Sequence, residues 1–432
     1  MNKPVNANQE FQSDFLSVTE ARTAISAVIH SIQAQARLHE AIESLPLKEC
    51  LGRILASDVL SPINVPANDN SAMDGFAFNG KELDAAQDPV NLRIAGAIYA
   101  GQTHSPSIQM GECIKVMTGA MMPPNCDTVI PQEFTKSSEE GSITFAKDTV
   151  RAGDNRRLCG EDLQAGKPAI QRGRILKASD IGLAASLGIA KLEVYQRIKV
   201  AILSSGDELC SIGVPLQPGK IYDSNRFSLH ACLSKLGFEI IDCGIVRDTP
   251  DDLRQAFMQA AQKADVIISS GGVSVGEADF TKQIMEELGQ VGFWKIAMRP
   301  GRPMAFGSLK PVSPKTAPTV FFGLPGNPVA VMVTFYQFVR NALLHLNGAL
   351  NPEIPLVSIQ SAEAIRKKSG RTEFQRGILF RDPEGRLLVK STGSQGAGIL
   401  RSMSEADCFM ILHHDQGNIA PGDWVDVEIF DG

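Results

Sequence analysis

The sequence ADVIISSGGVSVGEADF spans residues 264–280 and decides the fold of the middle of the chain. An apolar run ends in small residues and acids, and an amphipathic run, TKQIMEELG, follows. This order is typical of a buried strand, a glycine-rich loop and a helix. Similar units flank it, so the sequence predicts an α/β domain with a doubly wound, mostly parallel sheet.

The same alternation extends to both sides of this stretch. The predicted strands are 198–203, 239–246, 265–269 and 319–322, and the predicted helices begin near residues 223, 249 and 328. Thr249, Pro250 and Asp252 are cap-like residues at the second of these helix starts. With a short helix from residue 179, these elements place the α/β domain at residues 178–350.

The remaining chain divides into four further parts. Residues 1–15 are predicted to be a mobile tail, and 16–44 a helix that packs on the core, because apolar residues recur there at helical spacing. Residues 45–177 have short apolar runs between turn clusters, which is typical of a β-rich region. Residues 351–432 show the same texture and are predicted to form a small, separate β-barrel, with a sandwich as the alternative.

Composition excludes several classes of protein. The 432-residue chain carries a formal net charge of −6, which argues against binding nucleic acid through a basic face. The eight cysteines include no CxxC pair, which disfavours a structural zinc site and fits a cytoplasmic protein. No apolar signal segment or 20-residue apolar run is found, so neither a signal peptide nor a membrane span is predicted.

Three loops are expected to meet at the carboxyl edge of the predicted sheet, where ligands of such sheets bind. They are 204–208, 269–279 and 324–328. Glycine and serine let backbone N–H groups approach an anion closely, and helix N-termini add positive potential. The sequence therefore predicts a phosphate-binding site there. The last loop has an ordinary alternative, since Asn327 and Pro328 suit a helix start.

Acidic residues at this edge leave three interpretations open. Asp279 could cap the following helix, hold a divalent metal that bridges to phosphate, or contact a sugar or pterin N–H. Glu208 and Asp248 follow two other predicted strands, and this convergence favours the metal. Basic residues in KIAMRPGRP supply the other half of an anion site, although each could equally be a solvated surface residue.

Ten short motifs together resemble the MoeA family, the molybdopterin molybdenumtransferases related to the gephyrin E domain and to plant Cnx proteins. They are SAMDGFA, MTGA, GED, SSGDEL, IYDSNR, IVRDTP, SSGGVSVGEAD, RPGRP, LPGNPV and TGSQG. The resemblance covers residues from about 16 to 430. It implies a homodimer of elongated four-part subunits with a MogA-like molybdopterin-binding domain.

The resemblance also implies a reaction. Molybdenum from molybdate enters adenylylated molybdopterin, AMP is released, and Mg²⁺ is required. A molybdopterin adenylyltransferase and apo-molybdoenzymes would be partners, and neither nucleic acid nor a membrane would be. Two alternatives are an adenylyltransferase, which would not need the extra β regions, and a gephyrin-like scaffold, which would tolerate loss of the acids present here.

The implied site residues fall into two groups. The catalytic residues would be Asp74, Asp162, Glu208, Asp248 and Asp279, with Glu208 and Asp279 as metal ligands. The substrate-binding residues would be Thr118, Ser205, Gly206, Gly271, Gly272, Ser274, Gly276, Lys295, Arg299, Arg302, Pro325, Asn327, Pro328 and Ser394. Asp74, Thr118 and Asp162 would come from the other subunit. Arginine stands at 299 and 302 where family members often have lysine, which keeps the charge and changes the geometry.

Asp279→Asn tests the role of this acid. If its carboxylate acts on metal or substrate, turnover falls at least tenfold, equivalent to about 1.4 kcal/mol of barrier. Unchanged turnover in a well-folded variant would leave Asp279 as a helix cap.

Overall fold

The structure is a computed structural model that describes residues 15–36, 41–102, 107–139, 141–271, 280–311 and 317–430. The chain forms two compact units. The first contains residues up to 57, 173–177 and 191 onward, and the second contains 58–172 and 178–190.

The described residues form the following helices. They are α1 (Val18–Ala36), α2 (Glu82–Ala85), α3 (Ala178–Ser186), α4 (Asn225–Lys235), α5 (Pro250–Lys263), α6 (Phe280–Leu288), α7 (Pro328–Thr334), α8 (Arg340–Leu346) and α9 (Arg401–Ser404). Three 3₁₀ turns (Leu47–Glu49, Gln132–Phe134 and Lys147–Thr149) and a π-helical turn (Phe335–Val339) complete the helical segments of this part of the chain.

The strands group into three stretches of sequence. The first stretch has β1 (Ile42–Pro46), β2 (Val59–Leu60), β3 (Asn70–Ser71), β4 (Gly75–Phe78), β5 (Val90–Ile98), β6 (Glu112–Val116), β7 (Thr128–Pro131), β8 (Lys136–Ser137), β9 (Ser142–Phe145), β10 (Arg156–Arg157), β11 (Pro168–Ile170) and β12 (Lys191–Tyr195). The second has β13 (Lys199–Ser205), β14 (Leu209–Cys210), β15 (Ile221–Tyr222), β16 (Glu239–Val246), β17 (Val266–Ser270), β18 (Gly289–Lys295), β19 (Met298–Arg299), β20 (Pro303–Leu309) and β21 (Thr319–Leu324). The third has β22 (Leu356–Ser361), β23 (Thr372–Arg381), β24 (Leu387–Ser391), β25 (Cys408–Leu412) and β26 (Trp424–Ile429).

The central sheet of the first unit has the strand order β16-β13-β17-β21-β20-β18. The first four strands are parallel, and β20 and β18 run antiparallel at one edge. The predicted doubly wound, mostly parallel sheet is therefore confirmed. The two antiparallel strands were not predicted, because glycines weaken their strand pattern. Gly307 is needed there, since a Cβ at this position would lie 2.1 Å from the carbonyl oxygen of Gln290.

Both faces of this sheet are covered by helices. Val200 and Ile202 of β13 pack on one face with Leu229 of α4 and with α7. The alternate residues Ala201 and Leu203 pack on the other face with α5 and α6. Because successive side chains of a strand point to opposite faces, a continuous apolar run is what a strand buried on both faces requires.

The helical segment from Pro328 to Leu346 is long and apolar enough to cross a membrane by length and composition, with a mean hydropathy of 1.3. About 72% of that segment is buried inside the protein. A helix that is apolar on all sides and covered by other elements is typical of a protein core. The burial accounts for its composition without a membrane.

The N-terminal helix is shorter than the predicted range of 16–44. Helix α1 ends at Ala36, and residues 42–46 form β1 instead, which pairs antiparallel with β12. The prediction was wrong there because the partner strand lies about 150 residues away in sequence, and a local pattern cannot show it. Arg53 reinforces this pairing through an ion pair with Glu43 and a 2.7 Å hydrogen bond to the carbonyl oxygen of Tyr195.

The second unit contains the sheet β7-β4-β6-β5-β9-β8, with the short pairs β10-β3 and β11-β2. Helix α3 belongs to this unit, whereas the sequence placed it in the α/β domain. The domain boundaries drawn from sequence otherwise remain predictions. The large buried side chains of this second unit include Phe78 and Phe145, whose rings lie 5.6 Å apart.

The C-terminal strands close into a barrel. Their order is β23-β24-β22-β26-β25, and β25 pairs back onto β23. All these pairs are antiparallel except β22–β24. The predicted C-terminal β-barrel is confirmed, and β19 attaches to β23 as a two-residue parallel extension.

Thr249→Ala tests the cap that begins α5. The Thr249 hydroxyl accepts a hydrogen bond from the backbone N–H of Asp252 at 3.3 Å. We expect its loss to lower the free energy of unfolding by about 1 kcal/mol in urea titrations. Thr249→Ser keeps the hydroxyl and serves as the control, and equal loss in both variants would contradict a capping role.

Candidate functional site

The strands β13, β17 and β21 end side by side at one edge of the sheet. The register pairs Ser204 with Ser270, and Ser270 with Leu324. Ser205, Gly206, Gly271 and Pro325 are therefore brought together at this carboxyl edge. Gly272, Ser274, Gly276 and Asp279 lie outside the described residues.

Gly271 allows the closest approach at this edge. Its φ is +89°, and a Cβ there would lie 2.3 Å from the carbonyl oxygen of Ser205. Its N–H donates a 3.1 Å hydrogen bond to the carbonyl oxygen of Leu324. Only glycine satisfies both the backbone conformation and the contact, so the turn after β17 is sterically determined.

Several buried polar atoms near the same edge have no hydrogen-bond partner among the described residues. They include Ser205 Oγ, Ser269 Oγ and Asn225 Oδ1. A buried polar group left unpaired costs about 1–3 kcal/mol. Such a group is explained when a ligand supplies the missing partner.

Acidic residues follow the ends of β13 and β16. Burial raises the pKa of Asp248, and the neighbouring Asp207 and Glu208 carboxylates raise it further. A divalent cation would relieve this repulsion, and carboxylate oxygens are the ligands that Mg²⁺ prefers. The described residues contain no group of three or more His, Cys, Asp or Glu side chains arranged as a metal site. Asp279, the other predicted ligand, lies beyond them.

Two of the predicted basic residues lie at the same edge. Ala305 pairs with Gly323, and Lys295 pairs with Pro303, so the turn between β18 and β20 is level with the end of β21. Lys295 and Arg302 are exposed in or beside this turn. The Arg302 guanidinium lies 5.0 Å from the centre of the Phe15 ring.

A polar cavity of about 260 Å³ opens where this turn meets the barrel. Among the residues that line it are Arg299, Glu363, Arg366, Glu373, Arg376 and Gln395. Arg299 is exposed. The cavity therefore contains three guanidinium groups, which suit an oxyanion, beside two carboxylates.

Arg376 is the central residue of this cavity, and the sequence prediction missed it. It is fully buried, and burial together with Arg299 lowers the pKa of its guanidinium to about 10. It donates to Ser402 Oγ at 3.0 Å and to the Gly396 carbonyl at 3.1 Å, and no carboxylate in the described part of the chain pairs with it. The register places Arg376 opposite Phe409, on the face of β23 that packs with Phe374 against the helices. A basic residue two positions after Phe374 in a predicted strand was the available signal.

Ser394, predicted to hold an oxyanion, is exposed and is not among the cavity-lining residues. Its neighbour Gln395 lines the cavity instead. The side-chain oxygen Oε1 of Gln395 accepts a hydrogen bond from the Arg376 backbone N–H at 2.8 Å. The side-chain nitrogen Nε2 of Gln395 donates to the backbone carbonyl oxygen of Arg376 at 3.1 Å. Gln395 thus anchors the TGSQG loop to the strand that carries Arg376.

The loop between β21 and α7 connects the sheet edge with the barrel. Pro325 is buried and Pro328 begins α7, but the Asn327 side chain makes no cap hydrogen bond. The backbone N–H of Val329 donates to the carbonyl oxygen of Ala397 in the barrel loop at 3.0 Å. The helix-start chemistry predicted for this loop is therefore supplied by its prolines.

The three predicted residues of the β-rich region belong to the second compact unit. Asp74 Oδ1 accepts hydrogen bonds from both the backbone N–H and the hydroxyl of Thr118, each at 2.7 Å. These two bonds lower the pKa of Asp74. Asp162 is exposed, and its backbone N–H donates to Val65. Asp74 and Thr118 thus form a hydrogen-bonded pair near the surface, and these bonds favour the ionised form of the Asp74 carboxyl group.

A second cavity, of about 710 Å³, contains none of the predicted site residues. It lies between α1, the helical segment from Pro328 to Leu346 and the barrel. Its volume exceeds that of the Arg376 cavity, but its partly apolar lining lacks the glycine-rich turns and clustered guanidinium groups found at the sheet edge and the Arg376 cavity. We therefore locate the candidate site at those two places.

A sheet edge built for a phosphate-bearing ligand beside an oxyanion cavity in a barrel defines a binding protein for two anionic ligands. Three family models match successive parts of the chain. They are the MoeA N-terminal region (domain I and II) at 16–188, the probable molybdopterin binding domain at 201–345 and the MoeA C-terminal region (domain IV) at 358–430. The chain belongs to the MoeA family, as its motifs predicted.

Individual relatives agree with this assignment. A molybdopterin molybdenumtransferase of Haemophilus influenzae is 42% identical over 389 residues, which are 90% of this chain and 94% of that protein. The structure of a molybdopterin biosynthesis MoeA protein from Pyrococcus horikoshii OT3 has a TM-score of 0.76 at 26% identity, covering 96% of this chain and all of that one. Gephyrin of Dictyostelium discoideum is 28% identical over 90% of this chain and 59% of its own length.

Asp248→Asn tests the electrostatic strain at the sheet edge. Because the pKa of Asp248 is raised on folding, its ionisation destabilises the folded state once the pH exceeds its unfolded value of about 3.9. We therefore expect the variant to melt at a higher temperature than the parent at neutral pH, with the difference disappearing at about pH 3 to 4. Asp415→Asn, at an exposed position, is the control. A parent that melts higher than Asp248→Asn at neutral pH would contradict the strain.

Proposed function

We propose that the protein inserts molybdenum from molybdate into adenylylated molybdopterin and releases AMP. Membership of the MoeA family supports a transferase of molybdenum-cofactor biosynthesis. The observation that carries the finer proposal is the buried Arg376 guanidinium, which has no carboxylate partner among the described residues and lies in the same unit as a glycine-determined sheet edge. One unit thus offers a place for an oxyanion and a place for a phosphate-bearing ligand.

The sheet edge suits the adenylylated pterin. Gly271 has no side chain that would keep a phosphoanhydride away from the backbone, and the Glu208 carboxylate lies against Gly206, where a bound cation could bridge it to phosphate. The hydroxyls of Ser205 and Ser269 and the amide of Asn225 leave polar atoms for groups of the ligand. Lys295 and Arg302 at the same edge add positive charge, which offsets the negative charge of the phosphates.

The Arg376 cavity suits molybdate. Burial lowers the pKa of the Arg376 guanidinium, and repulsion from the nearby Arg299 lowers it further. A dianion between them would remove that repulsion, and guanidinium groups bind oxyanions through paired N–H donors. A barrel without this cavity would serve adenylyl transfer equally well, which favours the molybdenum insertion over the adenylyltransferase alternative.

Glu208 would hold Mg²⁺ together with Asp279, which lies outside the described residues, and the carboxylate of Asp248 interacts electrostatically with that of Glu208. When bound, the ion would neutralise negative charge on the phosphoanhydride. The chain's own residues bind and orient the two substrates, so that oxyanion and pterin sulfurs meet at high effective concentration. Lysine and arginine groups stabilise the charge that develops as AMP leaves, and no protein nucleophile is required.

The protein would act as a cytoplasmic homodimer in which Asp74, Thr118 and Asp162 of one subunit complete the site of the other. The ionised Asp74 carboxylate, held by the Thr118 hydroxyl near the surface, is suited to such a contact. A molybdopterin adenylyltransferase would supply the substrate and apo-molybdoenzymes would receive the product. The gephyrin-like scaffold remains the alternative without catalysis.

The direct test supplies adenylylated molybdopterin, molybdate and Mg²⁺ and follows AMP release and activation of an apo-molybdoenzyme. Arg299→Gln removes an exposed cation and is expected to raise the KM for molybdate at least tenfold. Arg401→Gln, which changes an arginine in an exposed helical ion pair, is the matched control. Absence of AMP release by the parent protein would overturn the proposed function and leave the scaffold.

A further inference from the structure

The side chain of Asn225, at the start of α4, joins two separate parts of the sheet edge. Its Nδ2 donates to Ser270 Oγ at 2.8 Å and to the carbonyl oxygen of Gly326 at 2.7 Å. Ser270 ends β17, and Gly326 lies in the loop between β21 and α7. One amide therefore links three elements that neighbour each other in space but not in sequence.

The orientation of this amide is determined by its partners. A carbonyl oxygen accepts hydrogen bonds and cannot donate, so the group that faces Gly326 must be NH₂. Asn225 Oδ1 is buried and has no hydrogen-bond partner among the described residues. Within the described part of the chain, the two bonds from Nδ2 are therefore the hydrogen bonds of this side chain.

The same loop is held from the barrel side. Val329 N–H, one residue into α7, donates to the carbonyl oxygen of Ala397, and Arg376 donates to the adjacent Gly396 carbonyl at 3.1 Å. Residues 324–328 thus lie in a chain of hydrogen bonds that runs from the end of β17 to the buried guanidinium. Each link is a direct contact, so displacement at one end has a physical route to the other.

We propose that Asn225 is a positioning residue that holds residues 324–328 between the sheet edge and the Arg376 cavity. The loop then keeps the bound oxyanion in the correct position relative to the pterin. This inference rests on the proposed function. Asn225 acts through the loop, because its amide donates hydrogen bonds to Ser270 and Gly326 and it is not among the residues that line the cavity. Its loss therefore affects a ligand that it does not touch.

Asn225→Asp is the decisive variant, because it keeps the shape of the side chain and replaces the donor with an oxygen. That oxygen would face the Gly326 carbonyl, so the link becomes a repulsion. We expect the KM for molybdate to rise about tenfold, and the dissociation constant of molybdate alone, measured by calorimetry, to rise similarly. Ser270→Ala removes one of the two acceptors and is expected to give a smaller rise, of about threefold, in the same direction.

Asn351→Asp is the matched control, since it makes the same change at an exposed position. A role in stability alone would lower the active fraction and hence kcat while leaving both molybdate constants unchanged, and that result overturns the inference. An increase confined to the KM for adenylylated molybdopterin also overturns it, because the effect would then be local to the sheet edge. Failure of the parent to release AMP is a separate outcome that rejects the proposed function instead.

Discussion

The architecture of the site depends on the close approach of β13 and β17 at their carboxyl ends. At Gly271 the backbone passes so near the Ser205 carbonyl that no side chain fits. This contact keeps the ends of the parallel strands level, because the same glycine donates to the Leu324 carbonyl of the next strand. A flat edge of backbone, free of side chains, is what a phosphate-bearing ligand needs to lie close to the strand ends.

The barrel contributes the second half of the site by burying a charge. Arg376 of β23 is fully buried without a carboxylate partner in the described residues, and burial, followed by the neighbouring Arg299, lowers the pKa of its guanidinium. Burying a cation without a counter-ion is costly, so an anion that binds beside it gains more than it would at the surface. The loop between β21 and α7 connects this cavity with the sheet edge, which explains why two domains of different folds share one unit.

Much of this arrangement could be predicted from sequence, and the exceptions have identifiable causes. The parallel strands were recognisable because strands buried on both faces are continuously apolar. Strands β18 and β20 were missed because glycines such as Gly307 weaken the pattern that predicts a strand. Glycine is nevertheless required at 307, since a Cβ there would lie too close to the Gln290 carbonyl oxygen. Arg376 was missed because its surroundings come from later parts of the chain, since Phe409 lies opposite it and Ser402 and Gly396 accept its hydrogen bonds. Four predicted site residues, Gly272, Ser274, Gly276 and Asp279, lie outside the described structure.

The sequence by itself determined the alternation of parallel strands and helices in the central sheet, the glycine turns and the membership of the MoeA family. These depend on residue type and local spacing, which the chain carries directly. Only the tertiary structure decided that β1 pairs with β12, that Arg376 is buried beside Arg299, and that Asn225 reaches both Ser270 and Gly326. Such contacts join residues far apart in the chain, and their existence follows from packing and strand closure rather than from local preference.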